Sequence, residues 1–284
     1  MTRPAILDRI RFTPLDDWRQ FVDFSESLTE VGLPTEVAYL FRGQPNADWS
    51  LLPSFTRYAN QAQLTVEQAL KLEEQALTEF TRQAHLHLAP NILRETSGLM
   101  GWWSLMQHYN APTRLLDWTK SPFAAAYFAV ERYLDKPGVI WIVHVRTVKD
   151  YMRSHFGQEN LTLNQGDEAE EAALRGPLPQ DQAALYFVRR PRETDRMAAQ
   201  QGYFSVSPQV LADHAKLLHA ATLNALPDPQ FFCFVVKPDQ KLGFLRRLLA
   251  MNVTARSLFP GVDGLGKTVE ELVRVASYSV KGTV

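Results

Sequence analysis

Short apolar runs alternate with segments of helical periodicity along the chain, and this alternation limits the folds that the sequence can adopt. Runs of about four to eight apolar residues are typical of buried strands rather than of helices. A chain in which strands and helices alternate packs its helices against the faces of a sheet. The predicted strands are residues 37–41, 113–119, 139–145, 184–189, 203–207 and 231–236.

Capping residues and prolines predict where the helices begin and end. Thr65 is a plausible N-cap because Gln68 follows three residues later, the pattern of a capping box. Ser121 followed by Pro122 is typical of an N-cap and a proline at the first helical position. Helices are predicted over residues 14–30, 65–89, 98–109, 123–134, 193–200, 209–221 and 240–251, and from residue 268 onward.

Composition is that of an ordinary globular protein, with 45% apolar and 21% charged residues. The net charge of −1 provides no overall attraction to nucleic acid or anionic lipid, although a local patch that binds nucleic acid stays possible. Cys233 is the single cysteine, which excludes an intramolecular disulfide and favours a reducing compartment. We find no secretory signal and no apolar run of membrane-spanning length, so we expect a soluble, cytoplasmic protein without a membrane partner.

One domain over residues 1–284 is the expected organisation. It would consist of the N-terminal helix at 14–30, a core over 37–270 and an irregular excursion over about 158–182. The excursion is polar and acidic and contains Gly and Pro, and we interpret it as an insertion rather than as a linker between two domains.

Arg42 is the first candidate for a functional site because it directly follows a predicted buried strand. A guanidinium at that position could hold a phosphate or a carboxylate through paired hydrogen bonds. Gly43 lacks a Cβ, which would allow the backbone to approach a ligand closely. An internal ion pair between Arg42 and Asp117 is an equally good interpretation.

Asp117 is the second candidate, because a carboxylate among apolar neighbours needs a partner. In a strand, Leu115, Asp117 and Thr119 would share one face. Arg42 or Arg114 could supply the partner. A structural ion pair, or a cap for the helix that begins near Ser121, is as plausible as a chemical role.

His108 is the third candidate, as an acid, a base or a ligand contact at the end of a helix. A structural role is the more common one for such a histidine. The sequence contains no Cys, His or carboxylate set with metal-ligand spacing, so we expect no metal site. A nuclease that uses Asp117 and Asp263 with Mg²⁺ is a weaker alternative, because two isolated carboxylates are few for a metal site.

Several segments resemble the FRG domain, a family named for its Phe-Arg-Gly motif, which here is Phe41-Arg42-Gly43. The resemblance extends over roughly residues 37–270. It implies a setting in bacterial or phage biology, as a toxin or an anti-phage defence effector. The segments that carry it are 41–44, 49–57, 107–119, 121–129, 196–204 and 258–265.

The order of these motifs also resembles that of mono-ADP-ribosyltransferases. Residues 41–43 are similar to the strand that ends in Arg-Gly, residues 116–129 to the second strand with its following helix, and residues 200–206 to the third motif. The resemblance implies an ADP-ribosyltransferase-like α+β fold, with a central mixed or mostly antiparallel sheet and flanking helices.

This second resemblance also implies NAD⁺ as a substrate and an unknown macromolecular target. Gln201 stands where these enzymes have a glutamate, so Asp117 is the candidate carboxylate. A non-catalytic module that recognises a nucleotide, a nucleic acid or a phage protein is the alternative. The implied NAD-binding residues are Arg42, Gly43, Gln44, His108, Arg114 and Thr119, and the implied catalytic residues are Arg42, Asp117 and Gln201.

Overall fold

The computed structural model describes residues 4–29, 38–156, 174, 184–188, 195–225 and 229–281. Its centre is a seven-stranded sheet with the order β1-β7-β4-β2-β3-β6-β5. The β1–β7 pair is parallel and the other pairs are antiparallel, so the predicted mixed, mostly antiparallel α+β sheet is confirmed. The strands are β1 (Arg11–Pro14), β2 (Tyr39–Gln44), β3 (Leu116–Thr119), β4 (Gly138–His144), β5 (Tyr186–Val188), β6 (Gly202–Val206) and β7 (Phe231–Val236).

Helices cover both faces of the sheet, and a short 3₁₀ helix over Ala5–Arg9 precedes β1. Among the described residues the α-helices are α1 (Trp18–Thr29), α2 (Ser54–Gln61), α3 (Val66–His87), α4 (Pro90–Glu95), α5 (Gly98–His108), α6 (Pro122–Val130), α7 (Val145–Phe156), α8 (Asp195–Gln200), α9 (His214–Thr222), α10 (Pro238–Ala250), α11 (Ala255–Leu258) and α12 (Val262–Lys281).

Two predicted caps are confirmed in detail. The Thr65 hydroxyl accepts from the Gln68 backbone N–H at 3.2 Å, and the Gln68 side chain accepts from the Thr65 N–H at 2.9 Å. The Ser121 hydroxyl accepts from the Ala124 N–H at 3.2 Å. Both helices begin where the sequence predicts because capping is decided by residues within one turn of the helix.

Other boundaries differ from the prediction because contacts from distant segments decide them. Strand β2 continues past residue 41 through Gln44, since its last three residues pair with β4. Helix α9 begins at His214 rather than at 209, because the Asp213 carboxylate accepts from the Ala215 N–H at 2.9 Å and caps it. Helix α12 begins at Val262, inside a predicted loop, and β3 comprises only the last four residues of its predicted run.

Sequence periodicity did not predict β1, α2, α4, α7 or α11. The predicted excursion over 158–182 lies outside the described residues except for Leu174, as do the first residues of the helix predicted over 193–200.

The sheet separates two apolar layers, as the alternation along β4 demonstrates. Trp141 and Val143 contribute to one layer, whereas Ile140 and Ile142 contribute to the other. The first layer is covered by α5, α7 and α9, and the second by α1, α6 and α10.

Helix α6 packs unusually close to β2, and Gly43 is the reason. A Cβ on Gly43 would lie 1.8 Å from the carbonyl oxygen of Ala125 and 2.7 Å from the backbone nitrogen of Ala129. Any side chain at residue 43 would therefore displace the helix from the sheet. Gly43 thus has a packing role that the sequence did not reveal, and its backbone still lines the cleft described below.

Candidate functional site: a cleft where two strands diverge

Strands β2 and β3 are neighbours in the sheet, yet in the described structure they pair at one position, Phe41 with Thr119. Beyond that pair, Arg42–Gln44 continues along β4, and Leu116–Asp117 continues along β6. The two strands diverge there, and a cleft of about 930 Å³ opens between them and the segments that follow β2. That volume is within the range of about 300–1,000 Å³ that is usual for small-molecule sites.

Arg42 lies on the wall of this cleft, with 20% of its side chain exposed. Its Nη1 donates to the backbone carbonyl of Asp117 at 2.6 Å and lies 3.9 Å from the Asp117 carboxylate. The Nε atom is buried and has no hydrogen-bond partner in the described structure. Burial lowers the pKa of Arg42, Asp117 acts in the opposite direction, and Arg57 lowers it further. The guanidinium therefore retains donor capacity that the protein does not use.

Asp117 is held beside Arg42 by Gln107 of α5. The Gln107 amide donates to the Asp117 carboxylate at 3.1 Å, and its oxygen accepts from the Thr113 hydroxyl. Thr113 in turn exchanges hydrogen bonds with Ser54 at the start of α2. The Asp117 side chain is 52% exposed, so its carboxylate is oriented by the protein but reachable from the cleft.

The floor of the cleft is a chain of buried polar groups. The Trp141 indole donates to the Gln44 side chain at 2.6 Å, and the Gln44 amide donates to the Ser50 carbonyl at 3.3 Å. The Ser50 hydroxyl donates to the Asp213 carboxylate at 2.5 Å. Burial raises the pKa of Asp213, against the effect of its hydrogen bonds from Ser50 and Ala215. Gln44 is thus bonded through both its oxygen and its amide nitrogen, and it fixes the loop that follows β2.

The outer part of the cleft carries a second guanidinium and several amides. Arg57 of α2 is exposed, and no ion pair engages its side chain among the described residues. Trp49 also lines this region. Two positive charges and an aromatic ring thus occupy the same cleft, together with the side-chain amides of Asn46, Asn60, Gln61, Gln107 and Asn110.

His214 lies under the cleft and is buried, with 1% of its surface exposed. Its Nδ1 lies 2.9 Å from the Ser205 hydroxyl, which accepts from the Trp118 indole at 2.8 Å. Burial, Arg42 and Arg114 lower the pKa of His214 to about 3. At neutral pH this histidine is uncharged, which suits a position close to two guanidinium groups.

Arg114 does not line the cleft, because its side chain is 1% exposed and engaged in the interior. Its Nε donates to the Glu73 carboxylate at 2.7 Å, and its Nη2 forms a second bond to the same carboxylate. Its Nη1 donates to the carbonyls of Leu174, Ser207 and Pro208. Direct contact between Arg114 and a nucleotide stays an untested prediction.

Three other predicted residues do not line the cleft in the described structure. His108 ends α5 and packs edge-on against Tyr109 at 4.9 Å between ring centroids, outside the cleft lining. Thr119 is buried, and its hydroxyl donates to the Gln200 carbonyl at 2.6 Å. Gln201 is an exposed turn residue with φ of 49°, three residues from the Phe204 that pairs with Asp117. Gln201 therefore precedes β6, beyond the Thr119–Gly202 pair and away from Asp117.

Sequence reasoning identified Arg42 and Asp117 but not the residues that complete their surroundings. The sequence predicts no individual role for Gln107, Ser50, Arg57 or Trp49. All of them belong to segments 49–57 and 107–119, so their clustering in the motif was the available signal.

No cluster of three His, Cys, Asp or Glu side chains suitable for a metal ion occurs among the described residues. Over the same residues, no helix has the length and hydropathy needed to cross a bilayer.

Comparison with known proteins gives one finding. Residues 37–137 match the family model of the FRG domain, which supports the FRG resemblance over the part of the chain from β2 to the end of the α6–β4 loop. That part includes all the cleft-lining residues described above. No curated protein and no solved structure matches the chain, so the resemblance to mono-ADP-ribosyltransferases gains no support.

Proposed function

We propose that the cleft between β2 and β3 binds a phosphate-bearing nucleotide, with NAD⁺ as the first candidate, and that the protein transfers its ADP-ribose to a target or to water. The observation that carries this proposal is the guanidinium of Arg42, which lines the cleft with 20% of its side chain exposed. Among the described residues it donates only from Nη1, to the Asp117 carbonyl, so its exposed part can donate charge-assisted hydrogen bonds to an anionic ligand.

Phosphate binding is proposed on the two arginines of the cleft, whose lining also includes the carboxylates of Asp48 and Asp117. Arg42 is anchored through Nη1 to the Asp117 carbonyl, so its orientation is fixed before a ligand arrives. Arg57 supplies a second positive charge, close enough to lower the pKa of Arg42. Two guanidinium groups at one cleft suit a pyrophosphate, because each forms charge-assisted hydrogen bonds to phosphate oxygens.

Asp117 is the residue proposed for chemistry. When the bond between nicotinamide N1 and ribose C1′ breaks, the bonding electron pair leaves with nicotinamide and positive charge develops on the ribosyl group. A carboxylate facing that carbon stabilises the charge, and it can also take the proton of the attacking water or target hydroxyl. Gln107 holds the Asp117 carboxylate at 3.1 Å and leaves it half exposed, as either role requires.

A non-catalytic recognition module is the second candidate. The position of Gln201 favours it, because this residue precedes β6, lies three residues from the strand partner of Asp117 and lacks a carboxylate. Such a module would bind a nucleotide through Arg42 without consuming it. A toxin or defence setting, with a cellular or phage target, is consistent with either candidate and follows only from the FRG resemblance.

The test is a paired NAD⁺ assay that follows binding by calorimetry and nicotinamide release by chromatography. Charge-assisted bonds contribute about 1.5–3 kcal/mol each, so Arg42→Ala is expected to weaken binding by roughly 10- to 150-fold. Asp117→Asn is expected to bind NAD⁺ and to release nicotinamide about 10²- to 10⁴-fold more slowly. Arg82→Ala, on the exposed face of α3, is the matched control for loss of one arginine.

Release by the wild type and not by Asp117→Asn supports the transferase proposal. Binding without release by the wild type supports the recognition module instead. If Arg42→Ala is folded and binds and turns over NAD⁺ like the wild type, the cleft is not the nucleotide site.

A further inference from the structure

Two exposed aromatic side chains meet at the rim of the cleft. Trp49 lines the cleft and is 38% exposed, and Tyr133 is 51% exposed. Their ring centroids are 5.5 Å apart with an interplanar angle of 80°, an edge-to-face contact. Exposing large aromatic rings to water costs free energy. The two rings belong to loops that are far apart in sequence.

Buried Lys241 of α10 fastens these two loops to each other. Its side chain is fully buried, and Nζ donates to the Pro45 carbonyl at 2.7 Å in the first loop. The same Nζ donates to the carbonyls of Arg132 and Tyr133 at 3.0 and 2.9 Å in the second loop. All three ammonium protons are therefore used to hold the rim.

The backbone of Tyr133 is held in an uncommon conformation. Its φ is 47°, in the left-handed region that aromatic residues rarely adopt. Its carbonyl accepts from Lys241 and also from the Lys136 N–H at 2.9 Å. A strained backbone persists where surrounding contacts fix it, and such positions concentrate at ligand sites.

We propose that Trp49, supported by Tyr133, is the platform on which a nucleobase stacks, and that Lys241 is a positioning residue for that platform. The inference rests on the proposed nucleotide function, and it assigns the base to the rim while the phosphates bind at Arg42. A stacking platform holds any purine by its flat face. Adenine and guanine nucleotides should therefore bind with similar affinity unless further contacts read the base edges.

The experiment compares ADP with inorganic pyrophosphate, which carries the phosphates without the base. Calorimetry is run on the wild type, Trp49→Ala and Trp49→Phe, with Tyr278→Ala of α12 as the matched aromatic control. Stacking corresponds to roughly 5- to 150-fold in affinity. Trp49→Ala should weaken ADP by that factor and leave pyrophosphate within about twofold, and Trp49→Phe should retain most of the ADP affinity.

Lys241→Met tests the positioning role. It should lower the affinity for ADP more than the affinity for pyrophosphate, a ratio that a general loss of stability would leave unchanged. If Lys241→Met folds and keeps the wild-type ratio, Lys241 does not position the platform.

The outcomes separate the two proposals. Unchanged ADP affinity in Trp49→Ala, together with loss of both ligands in Arg42→Ala, overturns the platform and leaves the nucleotide cleft standing. If the wild type binds neither ADP nor NAD⁺, the proposed function fails and the platform fails with it.

Discussion

Arg42 and Arg114, which the resemblance to mono-ADP-ribosyltransferases implies as NAD-binding residues, have contrasting environments in the structure. Arg114 is enclosed, with its guanidinium bonded to both oxygens of Glu73 and to three backbone carbonyls, and it lies 4.9 Å from the Trp103 ring centroid. Arg42 has one carbonyl partner, a carboxylate at 3.9 Å and a buried Nε without a partner.

The difference separates a structural arginine from one that is available to a ligand. Burial is not the criterion, since both side chains are largely withdrawn from water. The criterion is the number of donors that the protein leaves unused. A saturated guanidinium stabilises the fold only as part of its network, whereas an unsaturated one at a cleft has bonds left to offer.

The largest effect is expected from Arg114→Met, because it leaves the Glu73 carboxylate buried without its partner. Removing one member of a buried ion pair costs about 3–5 kcal/mol of unfolding free energy. Urea denaturation measures it. Arg82→Met is the control, because the Arg82–Glu79 pair lies exposed on α3, the helix of Glu73, and its loss should change stability little.

A double variant sharpens this result. Arg114→Met combined with Glu73→Leu replaces the pair with apolar groups, which is often close to neutral. Recovery of most of the lost stability supports the ion-pair explanation. A double variant as unstable as Arg114→Met would point to the carbonyl contacts of Arg114 instead.

A smaller stability effect is expected from Arg42→Met. It removes a charged hydrogen bond of about 1.5–3 kcal/mol, but it also removes a buried unsatisfied donor that costs about 1–3 kcal/mol. The two contributions partly offset, so the unfolding free energy should fall by no more than about 2 kcal/mol while ligand affinity falls. A loss as large as that of Arg114→Met would abolish the distinction between the two arginines.

Among the effects of removing one of the two arginines, the smallest is expected on the pKa of His214, which burial lowers most and which both arginines lower further. Removing either positive charge should raise that pKa, and NMR titration of the ring would detect it. The folded pKa of about 3 is below the usual 6.5, so the unfolded chain binds the proton more readily between these values. Stability from keeping His214 neutral is therefore present above about pH 6.5 and is lost as the pH falls toward 3.

A variant control checks the pH assignment. His214→Gln should reduce the loss of stability between pH 6.5 and 3, whereas His87→Gln on the exposed end of α3 should not. Equal curves for all three proteins would mean that other groups govern acid unfolding.

The sequence predicted those parts of the fold that neighbouring residues decide. The caps at Thr65 and Ser121 depend only on residues within one helical turn. Strands β4 and β7 are recognisable because nearly all their residues are apolar. The extension of β2 through Gly43 was missed because pairing with β4 overrides a local turn signal.

The site was predicted in outline for a different reason, the complementary charges of its residues. Arg42 and Asp117 were paired by residue type, and the structure brings them together. The contrast between Arg42 and Arg114 was not accessible, because it depends on Glu73, which lies forty-one residues before Arg114. Likewise, a side chain is excluded at residue 43 by the backbone of α6, which begins only at Pro122.

The single Phe41–Thr119 pairing also has a mechanical consequence. It divides the sheet into two plates, β1-β7-β4-β2 and β3-β6-β5, which meet along a seam. Arg42 extends from one plate to the Asp117 carbonyl of the other. A ligand that contacts both Arg42 and Asp117 would connect the two plates. Its binding should therefore slow amide hydrogen exchange along the seam, including at residues that the ligand does not touch.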